Sequence, residues 1–437
     1  MTEMDIRCPR SLTGYIRAGF RGGTTYTGTR NWEGCSLRST WGFRAVASAG
    51  AAVLLLGACS SSKPRGSSST TAVSGGSSSK LSGTPYELMW TETNQTSGPD
   101  YIPAIEAGVN SRGGIAGHPL KIVDCDDHGD ANQATQCGQQ AASDPNMLAV
   151  IGNTSTCGSN LLPLLAQAKM ASIGDQFFCP EDFKSAQAFP FIAGTFVTVE
   201  GAALAVKALS LPNVAVTTLD LPAGREFPPL VNAVVGPAGG KVVATTYIPE
   251  TATDMAPFAS QIASHKQSIL LEGNTTAIGI RLGKALAEQG YDQPIIYNGT
   301  TWDAGTLKAN FGDTGTRYIV EGFNLGSAGY QQFNADMTKY APGATYRAAD
   351  LITVWLASNL IARVAKTLPT ISAASLFNYM STTTSIDTFG LTPPLTYTVP
   401  SKALQGFIPR AVNGDAALYK YENGNLVETT PFQDVIP

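Results

Sequence analysis

The chain has 437 residues, of which 43% are hydrophobic and 14% charged, and a formal charge of −4. That much apolar surface excludes intrinsic disorder, and the length suits two or three domains of ordinary size. Residues 1–58 hold seven arginines against Glu3, Asp5 and Glu33, a net +4 that leaves −8 on the rest; an acidic body without a basic stripe argues against nucleic-acid binding.

The only long apolar run is Ala45–Leu56, preceded by Arg38 and Arg44. A membrane span needs roughly 20 apolar residues, so this shorter run reads as the h-region of a secretory signal peptide. It ends in Leu56-Gly57-Ala58-Cys59, which resembles a bacterial lipobox with Cys59 as the acylated, mature N-terminus. Residues 1–36 are Arg- and Gly-rich without an apolar run, and translation is expected to start at a non-ATG codon near Leu37. Ser60–Ser82 contains eleven serines and almost nothing to bury. Such a tether has an r.m.s. reach of roughly 25 Å. Residues 1–58 are therefore assigned to leader and signal peptide, and 59–83 to lipidated cysteine and linker.

Cys8 and Cys35 lie in the leader, which leaves Cys125, Cys137, Cys157 and Cys179 in the body. Four cysteines in an exported chain imply two disulfides with three connectivities; the local pairs Cys125–Cys137 and Cys157–Cys179 are favoured. No C-x-x-C spacing occurs and the three histidines are scattered, so no zinc site or other metal is expected.

From residue 84 short apolar runs alternate with amphipathic stretches. Strands are expected at Tyr86–Trp90, Leu120–Cys125, Leu148–Gly152, Val214–Leu219, Lys241–Ile248, Ser268–Leu271 and Pro294–Tyr297. Helices are expected at Asp100–Asn110, Asn132–Ala142, Gly158–Lys169, Val199–Leu209, Arg225–Val235, Met255–His265 and Thr276–Gln289. This alternation predicts parallel sheets covered by helices, an α/β fold of two doubly wound lobes. Ala348–Ala365 reads as a long buried helix, and Leu395–Thr398 and Ala417–Tyr421 as late strands returning to the sheets.

No motif of weight for catalysis is present: no G-x-S-x-G, Walker loop, G-x-G-x-x-G or H-E-x-x-H. Gly279…Gly283-Lys284 has the wrong spacing for a phosphate loop and falls in a predicted helix. Asp124-Cys125-Asp126-Asp127-His128-Gly129-Asp130 matches calcium-loop positions at Asp124, Asp126 and Gly129, but Thr135 stands where a bidentate Glu is needed. A strand-to-helix turn capped by Asp130 or Asn132 is the plainer reading. An enzyme, such as a secreted α/β hydrolase, is disfavoured, and no cofactor is expected.

Binding is the stronger expectation, because ligands of open parallel sheets collect at the carboxyl ends of the strands. In the first lobe those loops are Asn153-Thr154-Ser155-Thr156, suited to an anion at a helix N-terminus, and Gln176-Phe177-Phe178, suited to a ring or apolar group. In the second lobe Glu272 and Asn274 follow one strand, and Asn298 and Trp302 another; Trp302 has an equal claim to be plain core.

Asn110-Ser111-Arg112-Gly113-Gly114-Ile115-Ala116-Gly117-His118-Pro119-Leu120 resembles the N-x-x-G-G-I-x-G-x-x-L segment of type I periplasmic solute-binding proteins, in the Leu/Ile/Val-binding branch. Asp126-Asp127, Val150-Ile151-Gly152, Asp220–Gly224, Tyr247-Ile248-Pro249…Thr253-Asp254 and Gly390-Leu391-Thr392 resemble further family segments in the family's order, over roughly residues 84–428. The resemblance implies two lobes joined by a three-segment hinge, here 84–196 plus 326–392 and 197–325 plus 393–437. It also implies a cleft that closes on a small solute, an ABC permease and ATPase as partners, no catalysis, and a monomer anchored by lipid on the outer face of a bacterial cell membrane. A sensor of the same fold is the alternative. Ser155 and Thr156 keep the family's carboxylate-holding loop. Gln176-Phe177-Phe178 departs from its usual Ser/Thr, and Ala223 replaces a tyrosine that often packs on the ligand. The solute is therefore expected to be an amino acid or a related amide or aromatic carboxylate.

Overall fold

The computed structural model describes residues 81–435 except 94–97, 155–157, 177–181, 195, 267, 314, 402–405 and 407, with backbone alone at 98, 99, 200, 222 and 223. Cys59, the linker and the pair Cys157–Cys179 lie outside the described residues.

The first sheet holds β1 (Tyr86–Glu92), β2 (Leu120–Asp126), β3 (Met147–Ile151), β4 (Ala171–Ile173) and β5 (Ala188–Phe189), all parallel, in the order β2-β1-β3-β4-β5. Its strands carry apolar residues on consecutive positions because both faces are covered. The helices α1 (Ile102–Ser111), α2 (Ala131–Ser143) and α3 (Leu162–Gln167) connect them.

The second sheet repeats the plan. The strands β6 (Asn213–Leu219), β7 (Lys241–Ile248), β8 (Ser268–Gly273), β9 (Ile295–Asn298) and β10 (Arg317–Glu321) lie in the order β7-β6-β8-β9-β10, all parallel. They are joined by α5 (Pro222–Val235), α6 (Ala256–Ala263), α7 (Thr276–Glu288) and α8 (Ala304–Phe311). The antiparallel strands β11 (Asp415–Glu422) and β12 (Asn425–Glu428) extend it beyond β10, and β13 (Gln433–Asp434) pairs with β11. The chain leaves the first sheet through α4 (Phe196–Leu209), which packs on β8–β11. After β10 it returns as α9 (Ala328–Tyr340), α10 (Ala349–Val364) and α11 (Ala373–Thr382), which pack on α1, β3 and β4, and then crosses again to β11. These are three crossings between two α/β lobes, as expected.

All the strands and helices expected between residues 86 and 297 form. Gly283-Lys284 lies inside α7. The long helix forms as α10, with Arg363 as its only residue that is not buried. In α9 the buried residues are Gly329, Phe333, Asp336 and Met337, a stripe at helical spacing disguised because one member is glycine and another charged.

Leu395–Thr398 is a correction: it forms no strand, only an isolated bridge between Leu395 and Ile386. Tyr397 takes the segment elsewhere. Its ring meets Phe189 edge-on at 5.1 Å, its hydroxyl donates to Pro190 O, and the Arg410 guanidinium lies 5.0 Å from its centroid. Burying one large aromatic over β5 outweighs a short ladder.

Cys125 and Cys137 form the expected disulfide, joining β2 to α2. The acidic segment between them is a turn. Asp130 caps α2 by accepting from the N–H groups of Asn132 (2.9 Å) and Gln133 (3.0 Å). Asp126 accepts from His128 N, and Asp127 from Thr93 Oγ1 and Gly129 N. Thr135 sits within α2 with its hydroxyl on Ala131 O.

Candidate functional site

Strand order locates the site. In both sheets the first strand lies between the second and the third, so the chain winds in opposite directions on either side of a crevice. These switch points, β1/β3 and β6/β8, are where open α/β sheets bind ligands, at the carboxyl ends.

At the first switch point the chemistry is dense. Thr91, at the end of β1, donates its hydroxyl to Asn153 Oδ1 (2.9 Å), and Asn153 Nδ2 donates to Asp175 Oδ1 (3.2 Å). Asp175 also accepts from Ser172 Oγ and from Phe189 N (3.0 Å). Burial pushes its carboxyl up to about 7 against these bonds. Gln176 N donates to Asn153 O (2.8 Å), and Thr154 N to Thr91 O (3.0 Å). The loops after β1, β3 and β4 thus form one buried unit.

Helix α10 closes this unit from below. Gln176 Nε2 donates to Thr353 Oγ1 on α10 at 3.1 Å. The approach requires glycine at two strand ends. Gly152 (φ +56°) and Gly174 (φ +80°) hold left-handed conformations, and a Cβ would fall 2.4 Å from Val354 Cγ2 at the first and 2.5 Å from Thr353 Cγ2 at the second. At its N-terminus, one turn before Thr353, α10 reaches the second lobe: Ala349 N and Asp350 N donate to Gly299 O (3.0 Å) and Thr300 O (3.1 Å).

The second switch point mirrors the first. Asn274, after β8, donates Nδ2 to Thr217 Oγ1 on β6 (3.0 Å) and to Glu272 Oε1 (2.8 Å), which also accepts Asn274 N (3.0 Å). Glu272 is 2% exposed, and burial raises its carboxyl to about 7 despite the two bonds from Asn274. Asn298 Oδ1 accepts Thr300 N at 2.9 Å and shapes the loop after β9.

Trp302 is 1% exposed, with its ring centroid 4.2 Å from Tyr297 and 6.3 Å from Phe311, within the outer core of the second lobe. It backs Glu272: a Cβ on Gly279 would lie 2.7 Å from Trp302 and 3.0 Å from the Glu272 carboxyl. Ser155, Thr156, Phe177 and Phe178 lie outside the described residues, and Ala223 falls at the start of α5 with only its backbone described.

The structure thus gathers Asn153, Thr154 and Gln176 at one switch point, and Glu272 and Asn274 at the other. Sequence reasoning missed Thr91, Thr217 and Thr353, because a polar residue inside a buried strand or helix carries no local signal, and it did not single out Asp175 within the loop after β4. Four buried polar atoms here have no hydrogen-bond partner among the described residues: Trp90 Nε1, Gln176 Oε1, Asn274 Oδ1 and Thr300 Oγ1. Unsatisfied buried groups are rare and call for an explanation. Among the described residues the arrangement offers hydrogen-bond acceptors and donors, which suits holding a polar molecule.

A family model described as periplasmic binding protein matches residues 91–402. No curated protein matches the chain. Among solved structures, the fold is similar to a fatty acid ABC transporter substrate-binding protein from Thermomonospora curvata (TM-score 0.64, 15% identity, covering 81% of this chain and 94% of that one). It is similar to a leucine-binding protein from Thermotoga maritima (TM-score 0.62, 11% identity, 79% and 97%). It is also similar to an extracellular ligand-binding receptor from Verminephrobacter eiseniae (TM-score 0.61, 18% identity, 78% and 99%).

Proposed function

We propose a function on the premise that this chain belongs to the periplasmic binding protein family: it is the lipid-anchored, extracytoplasmic solute-binding subunit of an ABC importer. The carrying observation is the pair of matched switch points, each built on an Asn–Thr hydrogen bond and each with buried polar atoms that have no hydrogen-bond partner among the described residues. A solute lying between the lobes 84–196 plus 326–392 and 197–325 plus 393–437 would engage both and hold them closed. Asn153, Thr154, Ser155, Thr156, Gln176, Phe177 and Phe178 form the first-lobe wall; Ala223, Glu272, Asn274 and Asn298 form the second, with Trp302 behind it.

The solute is a small amide, amino acid or aromatic carboxylate. Ser155 and Thr156, which follow Thr154, supply hydroxyls for a carboxylate. Asn274 Oδ1 supplies an acceptor whose orientation is fixed, because its amide nitrogen is spent on Glu272 and Thr217. The site is tested by a thermal-shift screen of the protein against amino acids, amides and aromatic acids. Solute at 100 times its Kd is expected to stabilise by about 2.7 kcal/mol, and Asn274→Ala to weaken the hit about tenfold. A hit whose Kd is indifferent to Asn274→Ala, Gln176→Ala and Ser155→Ala alike would sink the assigned site.

The anchor is tested in cells. The protein is expected in the membrane fraction, and Cys59→Ser in the soluble extracytoplasmic fraction. Equal fractionation of the two would mean that Cys59 carries no lipid.

A further inference from the structure

The segment between α9 and α10 joins two helices that pack on the first lobe, yet its backbone is held by the second. Arg347 N donates to the Asp303 carboxylate. Ala349 N and Asp350 N, at the start of α10, donate to Gly299 O at 3.0 Å and to Thr300 O at 3.1 Å. The side chains go to the first lobe. Tyr346 stacks on Tyr101 with ring centroids 6.1 Å apart, and Arg347 Nε donates to Asn334 Oδ1 on α9 at 3.1 Å. One short segment is thus packed into one lobe by its side chains and bonded to the other by its backbone.

The first N–H groups of a helix have no partner within it. Ala348, the N-cap of α10, supplies none from its side chain, so the second lobe caps this helix across the lobe boundary. Ala349, Asp350 and Thr300 are all buried, and water is shut out of the contact. Its partners are fixed in turn. Asp303 caps α8 by accepting Thr306 N at 2.7 Å. Gly305 is required by the close approach, since a Cβ there would fall 2.6 Å from Thr345 O. The clasp also adjoins the crossings. Gly299 N donates to Val320 O (2.8 Å) at the end of β10, where the second crossing begins. Within that crossing Asn324 N donates to Leu391 O (2.8 Å), and Asn413 Nδ2 in the third crossing donates to Phe191 O (3.0 Å) at the first.

Resting on the reading above that the lobes close on a solute, we propose that they pivot about this clasp: residues 345–350 stay docked on residues 299–305 in the open and closed forms alike. A rigid-body rotation of about 15° around an axis two strand spacings away, about 10 Å, would move these atoms by about 2.5 Å and break every bond in the clasp. The bonds survive rotation only where the axis runs through them. Closure is then a hinge motion and not a sliding of one lobe over the other. Thr353, one turn further along α10, holds Gln176 at 3.1 Å, so the first-lobe wall of the proposed solute site is tied to the pivot.

The test is hydrogen exchange of the full chain without added solute, resolved to single amides. A dye pair on non-natural residues at exposed Ser143 on α2 and Lys284 on α7 reports the distance between lobes. The dyes are expected to show two distances, open and closed. First-turn helix amides ordinarily exchange fast, but those of Arg347, Ala349 and Asp350 are expected to exchange within about thirtyfold of Ser358 in the middle of α10. Exchange faster than that, with two dye distances present, would show that the clasp parts as the lobes open; it would overturn the pivot and leave the solute site standing. A single dye distance would overturn the pivot and lobe closure together. Gly305→Ala, whose Cβ meets Thr345 O, is expected to speed exchange of the three amides about tenfold or more with Ser358 unchanged. Asp303→Asn, which weakens the acceptor for Arg347 N, carries the test should Gly305→Ala fold poorly. Exchange unmoved in a folded variant at either position would overturn the proposal.

Discussion

Asp336→Ala is expected to lower the unfolding free energy by about 3 kcal/mol, at the lower end of the range for breaking a buried ion pair. The side chain of Asp336 on α9 is 4% exposed and receives both guanidinium nitrogens of Arg112, at the end of α1, at 2.7 and 2.8 Å. It also accepts Trp355 Nε1 from α10 at 2.7 Å and Gln332 Nε2 at 3.1 Å. Arg112 reaches on to Asn359 Oδ1 at 2.9 Å, so three helices meet at one carboxylate. Alanine would strand a buried indole N–H and leave the guanidinium with Asn359 alone. Because the Arg112 side chain is 38% exposed, it can partly rehydrate, which limits the cost. Urea unfolding of wild type, Asp336→Ala and Asp336→Asn decides the point, with Asn expected to cost about half as much since it keeps the indole's acceptor. A loss under about 1 kcal/mol for alanine would show that the helices hold by apolar packing alone.

Unfolding free energy without added ligand is expected to fall as pH rises from 5 to 8. Burial holds the carboxyls of Asp175, Glu272 and Asp350 up at about 7 and that of Glu321 at about 8. In the unfolded chain the same groups ionise near pH 4. Between those values the folded state binds more protons than the unfolded one, so stability is greatest on the acid side and is lost as pH climbs through the folded values. Each such group contributes a slope of at most about 1.4 kcal/mol per pH unit within its window. Denaturant melts at half-unit pH steps measure the slope, and Glu321→Gln is expected to flatten its upper part, between pH 7 and 8. A curve that is level or rising from pH 5 to 8 would mean that these carboxyls are ionised in the folded protein and neutralised by groups outside the described residues.

These buried acids also show where reading a sequence stops. Glu272 was legible as a residue following a strand, because apolar Ser268–Leu271 ends just before it. Glu321 was not, because Arg317–Glu321 is short and bracketed by charge, and the ladder to β9 and β11 that makes it a strand lies far away in sequence. Asp336 carried no local signal, because nothing nearby in sequence announces that Arg112 and Trp355 converge on it. Leu395–Thr398 alternated like a strand, yet Tyr397 gained more by covering Phe189.

The sequence by itself determined the alternation of strand and helix and the two-lobe α/β plan, narrowed the turn's cap to Asp130 or Asn132, and favoured the local disulfide between Cys125 and Cys137 among three connectivities. Each rests on interactions between near neighbours or on an apolar period that any register preserves. Only the tertiary structure decided which strand lies between which others, and hence where the switch points fall. It alone placed Thr353 under Gln176 and set the backbone of residues 347–350 against the loop after β9. Those facts depend on contacts between residues far apart in the chain, where burial and hydrogen bonding are settled by what the fold brings together and not by what sits alongside in sequence.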